Sequence, residues 1–346
     1  MHAQLKDIVK KIRTYPGLLR KQPIRPVVDL LRQTLRYGDQ LPNYGDDAAI
    51  IPWGDEYLLI AADGMMTGLL INEPFAAGKA SVMVTVNDIY AMGGRPIGMV
   101  NVLASGDDSQ RRLIVEGIEK GCRKLQVPML GGHLHPDAPV DCPALSVTII
   151  GRARKLLRSH LAAAGDRLVL AVDLDGRAGC RSVVSWDANS GKSPEALRHR
   201  LEALPLVAES ESAFAAKDVS NAGILGTAAI MLENSGKGAD IDLDAIQCPN
   251  SLTLEQWLRC FQSFGFILAV PPENIERVFS LFSERGITAA AIGSVTEKSV
   301  VDIHSGLSSA TLFDFSRDII TGITCPRSPA PDSSGGGPVK HTRGYL

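Results

Sequence analysis

The stretch that most restricts the fold is GKASVMVTVNDIYAMGG, residues 78–94. Its length predicts a helix, stopped by Gly93-Gly94 with Pro96 beyond. Val82, Met83, Val84, Val86, Ile89, Ala91 and Met92 leave it apolar on every side, so the helix must be buried. Yet Asn87 and Asp88 sit in its middle. An unpaired carboxylate in a core is costly, and no Lys or Arg stands three or four residues away. Asp88 therefore needs a partner from elsewhere in the chain. A bound cation, Arg95 and backbone amides all qualify.

Strands and helices alternate around this helix. Apolar runs predict strands over 56–63 and 96–104, and in VPMLGG and ALSVTIIGRAR. Residues 108–125 form an amphipathic helix with Asp108 or Ser109 as N-cap and Ile114, Ile118, Cys122 and Leu125 inward. The pattern restarts near 155–165. Strands at 166–174, in ADIDLDAI, at 265–271, in TAAAIGSVTE and in SVVDIHS alternate with helices over 194–216, 222–234, 253–262 and 272–285. Two α/β domains follow. A helical leader over 1–36, broken by Pro16, Pro23 and Pro26, precedes them, with one helix expected from Val27 to Arg36. The domains take 37–155 and 156–325. The Pro/Gly/Ser-rich residues 326–346 are expected to be disordered.

A net charge of −2 and the absence of any Lys/Arg run argue against a nucleic-acid surface. No apolar stretch reaches membrane-helix length, and the charged N-terminus is no signal peptide. The six scattered cysteines, with no Cys-x-x-Cys pair, fit reduced thiols in a cytoplasm.

Carboxylates recur at element edges. Asp46 and Asp47 stand together in YGDDAAII, and Asp63 ends the strand 56–62. With Asp88 they could supply the hard oxygens that suit Mg²⁺ and substrate phosphates. An ion would also relieve the repulsion between Asp46 and Asp47. The alternative is a solvated turn in which Asp serves as turn former. In GGHLHPD, His133 and His135 alternate like strand neighbours, with Asp137 beyond. That segment reads either as a transition-metal site or as a cleft loop in which His133 bonds a phosphate or substrate group.

The order of GDDAAI (45–50), AAD (61–63), VNDIYAMGGRP (86–96), LGGH (130–133) and KDVSNAGILGT (217–227) resembles the AIR synthase-related (PurM-like) ATP-binding superfamily over about residues 40–300. NDIYAMGGRP carries most of the likeness, and GDDAA is most similar to thiamine-monophosphate kinase. The resemblance implies an N-terminal α/β domain that pairs with a second copy into a dimer barrel, and a C-terminal α/β domain behind it. It implies ATP in the cleft, held through Mg²⁺. Carried over residue by residue, Asp46, Asp63, Asp88 and Asp218 become metal ligands. Asp47, Asn87, Gly131, Gly132, His133, Ser220 and Asn221 become nucleotide-binding residues.

Two departures stand out. The family's GGDT reads Gly131-Gly132-His133-Leu134, and the kinase's DxSDG reads Asp218-Val219-Ser220-Asn221-Ala222. Each replaces a carboxylate. Neither the Cys-bearing leader of selenophosphate synthetase nor the Cys-bearing tail of the hydrogenase-maturation protein is matched. The expectation is a cytoplasmic homodimer that uses ATP and Mg²⁺ to phosphorylate a small-molecule acceptor. In the kinase mode this gives a stable ester; in the synthase mode it activates a carbonyl or amide oxygen. The alternatives are thiamine-monophosphate kinase and a nucleotide-binding regulatory or scaffold subunit without turnover.

Overall fold

The computed structural model describes residues 2–37 and 44–324, so the expected disordered tail lies outside the described residues. The leader comprises α1 (His2–Arg13), α2 (Pro16–Leu19) and α3 (Ile24–Leu31), followed by a 3₁₀ turn over Arg32–Tyr37. α3 begins three residues before the expected start. Pro26 lies in its first turn, where a missing N–H breaks no helical bond. Leu5, Ile8 and Ile12 recur at helical spacing on α1 and are buried in the core of the second domain.

The first domain is a five-stranded sheet of β1 (Ala49–Trp53), β2 (Glu56–Gly64), β3 (Arg95–Ala104), β4 (Met129–His135) and β5 (Ala144–Ala153). Their order is β1-β2-β5-β3-β4, antiparallel except for the β3–β4 pair. Three helices belong to it: α4 (Thr67–Asn72), α5 (Pro74–Ala91) and α6 (Asp108–Leu125). α5 is the buried apolar helix. It starts at Pro74 rather than Gly78, because proline suits the first helical position. Gly78 then lets α6 approach: a Cβ there would come 2.0 Å from the Ile114 carbonyl oxygen. α6 keeps its expected bounds, but Asp107 is the N-cap, accepting from the Gln110 N–H at 2.6 Å.

The second domain contains β6 (Arg167–Val172), β7 (Arg177–Ala178), β8 (Ser185–Asp187), β9 (Ala215–Asp218), β10 (Gly238–Asp242), β11 (Phe261–Gln262), β12 (Gly265–Val270), β13 (Thr288–Thr296), β14 (Val300–Ser305) and β15 (Ser308–Asp314). Seven of these form one sheet, ordered β15-β14-β10-β13-β6-β12-β9; β11, β8 and β7 form a small one. Its helices are α7 (Pro194–Leu201), α8 (Ala203–Glu209), α9 (Gly223–Ser235), α10 (Leu254–Leu258) and α11 (Ile275–Ser283). The expected helix over 253–262 stops at Leu258 and gives way to β11.

β12 is buried throughout. Phe266, Leu268 and Val270 join the core that includes α5, while Ile267 and Ala269 join the core under α9. The period-2 alternation of a strand thus feeds both cores. It fixes the two domains against each other, with β9 at the sheet edge beside α5.

By contrast, one face of the first sheet is bare. Directly paired residues share a face, and the row Asp63, Val147, Asn101, Gly132 contains the fully buried Val147. The neighbouring row Gly64, Ser146, Val102, His133 therefore points the other way. Ile51, Trp53, Val100, Val102 and Ile150 are all exposed large hydrophobics on that open face.

Candidate functional site

The site forms where the turn before β1, the end of β2, the last turn of α5 and the end of β9 converge. Carboxylate oxygens of Asp47, Asp88 and Asp218 all lie within 4.8 Å of one another. Asp218 is buried, on a strand whose four residues are all buried. Among the described residues, neither the Asp88 nor the Asp218 carboxylate has a hydrogen bond or ion pair from a side chain. Arg95, one candidate partner of Asp88 from the sequence, instead binds Glu202 and Glu209.

Asp47 is held differently. It forms an ion pair with Lys217 and accepts from the Asp218 N–H at 3.2 Å. Lys217 also donates to the Gly45 carbonyl oxygen at 3.0 Å. This single cation sits beside three clustered carboxylates. Burial works against the charge of Lys217, but Asp47, Asp218 and Asp46 outweigh it and raise its pKa.

One ammonium does not neutralise the cluster. Burial is the largest influence on Asp88 and raises its carboxyl well above the usual range, with Asp63, Asp218 and Asp47 adding to it. Asp218 is pushed up to about 8, first by burial and then by Asp47, with Lys217 opposing. Asp63 is raised by burial and by Asp47, while Lys21 and Arg20 pull it down. Buried oxygens that resist ionisation until a cation arrives suit a hard divalent ion.

Asp46 departs from its expected place among the ligands. Its side chain is 1% exposed and receives Arg158 Nε at 2.9 Å, the Ser159 N–H at 2.8 Å and the Ser159 hydroxyl at 3.0 Å. Burial opposes ionisation here too, but His160, Arg158 and Ser159 outweigh it and hold the carboxyl below its ordinary value. A carboxylate so satisfied anchors the turn to the second domain. The adjacent residue, Asp47, is the one that joins the cluster.

The other expected residues divide. Asn87 is buried and donates to the Ser263 carbonyl oxygen at 3.2 Å, tying α5 to the second domain. Ser220 and Asn221 line a cavity of about 530 Å³ that also takes in Asp63. Gly131, Gly132 and His133 lie on the exposed edge strand β4, and His133 turns to the open face with its ring centroid 4.5 Å from that of His135. The structure thus turns His133 away from the carboxylates, and among the described residues neither His135 nor Asp137 joins the cluster. Lys217 and Arg158 were not foreseen. For Lys217 the signal was present: a Lys-Asp pair closing an apolar strand is expensive unless both charges are used.

Residues 45–153 match the family model for the AIR synthase related protein, N-terminal domain, and residues 163–305 that for its C-terminal domain. The chain is 38% identical over 320 residues to protein sll0787 of Synechocystis sp., covering 92% of this chain and 99% of that one. It is 26% identical over 314 residues to the phosphoribosylformylglycinamidine synthase subunit PurL of Methanosarcina barkeri, covering 82% of this chain but 43% of PurL. The solved structure of AaThiL complexed with AMPPCP and TMP matches with a TM-score of 0.63 at 20% identity, covering 83% of this chain and 96% of that one. At that identity the likeness speaks to the fold, a two-domain PurM-like α/β architecture. With both domain models matched in order, the chain belongs to the AIR synthase related protein family.

Proposed function

We propose that this chain is a Mg²⁺- and ATP-dependent enzyme that transfers a phosphoryl group to a small-molecule acceptor. The observation that carries the reading is the trio Asp47, Asp88 and Asp218, two of whose carboxylates pair with no cation among the described residues. The donor set fits Mg²⁺, which takes a few carboxylates plus phosphate oxygens and water. Asp47, Asp88 and Asp218 would hold the ion, with Asp63 beside them. The ion would neutralise phosphate charge as the transfer proceeds. The chain's own residues then do the positioning. Lys217 fixes Asp47, Asn87 fixes the α5 register against the second domain, and Ser220 and Asn221 line the adjoining cavity.

The named relatives support nucleotide use: one is a synthase subunit and one solved neighbour carries AMPPCP. Asn221, where the kinase motif has a carboxylate, speaks against thiamine monophosphate as acceptor. The bare apolar face of the first sheet supports a homodimer, since a second copy of that face would cover it.

The test is calorimetric titration of ATP with and without Mg²⁺, followed by ADP release across a panel of small metabolites. Tight binding that requires Mg²⁺ is the expected result. No binding at millimolar Mg²⁺ overturns the reading. Binding without ADP release from any acceptor favours a regulatory subunit instead.

A further inference from the structure

The leader precedes both family-matched segments, residues 45–153 and 163–305. It nevertheless reaches the cavity beside the carboxylates. Arg20, Lys21 and Ile24 line that cavity together with Asp63, Ser220 and Asn221. Some charged groups on the wall are already committed. Lys79 binds Ser190 at 2.7 Å and pairs with Asp187 at 3.4 Å. Glu73 accepts from the Arg181 and Ser182 N–H groups and from the Ser182 hydroxyl. Arg20, Lys21 and Arg177 have no such partner among the described residues, and of the three it is Arg20 and Lys21 that act on Asp63. Arg20 and Lys21 thus face the cavity on the side of Asp63, near enough to favour its charged form.

Their position is built. Leu18, just before them, is buried in the second-domain core with Leu225 and Ala229 of α9. Gly17 packs so closely that a Cβ there would come 2.0 Å from the Asn221 carbonyl oxygen. Lys11 pairs with Glu255 at 2.6 Å, and Arg13 with Asp318 at 2.6 Å. The Arg259 guanidinium lies over the Tyr15 ring, 5.8 Å from its centroid. The peptide turn that carries Arg20 and Lys21 is therefore clamped to the Ser220–Asn221 loop.

We propose that Arg20 and Lys21 form an oxyanion-holding wall that grips a phosphate group in the cavity beside the carboxylate-bound ion. The inference rests on the Mg²⁺-ATP reading of the carboxylate cluster. That phosphate is either the terminal group of the nucleotide or a phosphate on the acceptor. Guanidinium and ammonium groups bind both through charge-assisted hydrogen bonds. Gly17 is the positioning residue: it lets the turn seat against Asn221 so that both cations reach the cavity.

The experiment uses the full chain carrying Arg20→Ala and Lys21→Ala together, with Gly17→Ala as a second variant. Titrations use Mg²⁺-ATP, Mg²⁺-ADP, and inorganic phosphate added to protein saturated with Mg²⁺-AMPPCP. If the wall holds the terminal phosphate, ATP affinity falls about tenfold or more while ADP affinity changes little. If it holds the acceptor's phosphate, nucleotide affinities stay and inorganic phosphate binding is lost. Gly17→Ala should reproduce whichever loss appears, with both cations intact. Should Gly17→Ala fail to fold, the double variant decides, because its side chains are at the cavity rim. Wild-type affinity of the double variant for both ATP and phosphate overturns the wall. If wild-type protein binds no Mg²⁺-ATP, the functional reading falls by itself. Phosphate binding to the nucleotide-free protein, kept by wild type and lost in the variant, would still uphold the wall. Its absence in wild type would overturn it.

Discussion

Asp46 and Asp47 are neighbours in sequence, yet each answers to a different cation: Asp46 to Arg158 at 2.9 Å, Asp47 to Lys217. Their mutual repulsion is met by protein, one cation each, before any ion binds. Asp46→Asn should therefore act on stability. Removing the charge of Asp46 breaks its buried pair with Arg158 and costs about 3 kcal/mol. Urea midpoints should fall while Mg²⁺-ATP affinity stays near wild type. Unchanged stability with weakened ATP binding would return Asp46 to the metal site. The pH sense follows from its lowered pKa. The stabilisation is complete above the unfolded value of 3.8 and is lost as pH falls through the lower folded value.

Asp218 should behave in the opposite way. Its carboxyl is destabilised in the apo protein, so Asp218→Asn should hold or raise the apo melting temperature near pH 8. Mg²⁺ affinity should drop by about tenfold or more, because a hard ligand is gone. Thermal melting without metal and calorimetry with it check the two halves separately. A variant that melts lower and binds Mg²⁺ as before would make Asp218 structural.

The raised pKa of Asp218 also sets a pH dependence. A carboxyl titrating at about 8 in the fold and near 3.8 unfolded binds more protons folded than unfolded between those values. Apo stability should then decline as pH rises from about 4 to 8. Mg²⁺ should oppose this decline, and its binding at pH 7 should release protons. Calorimetry in two buffers of different ionisation enthalpy measures that release. No proton release would mean that the cluster is already ionised without metal.

The open face of the first sheet gives a fourth expectation. Wild-type protein should sediment as a dimer, and Val102→Asp should shift it toward monomer by placing a charge in the centre of an apolar interface. Val102 is 47% exposed, so the fold of the single chain should survive the change. A wild-type monomer at micromolar concentration would remove the dimer reading.

The sequence alone determined what depends on local pattern. The apolar run over 78–94 required a buried helix, and α5 is that helix. The amphipathic period over 108–125 marked α6 to the residue, and alternating strands and helices gave two α/β domains. Asp88 could be singled out because its neighbours along the helix offered no partner. Short elements were less legible: β7 and β8 are two and three residues long and exist only through pairing with one another and with β11.

Tertiary structure decided what depends on which face a residue turns to and what meets it there. Asp46 and Asp47 are chemically identical, and no local rule says which one joins the carboxylate cluster. Arg158 and Lys217, more than a hundred residues away, settle that by pairing with one each. His133 sits in a segment that by sequence reads as a metal or phosphate site, but its strand register turns it to the open face. The leader read as a separate helical prefix. Burial of Leu5, Ile8, Ile12 and Leu18 in the second domain brings Arg20 and Lys21 to the cavity. Electrostatic partnership acts through space, and the one-dimensional pattern carries no distance between residues that meet only in the fold.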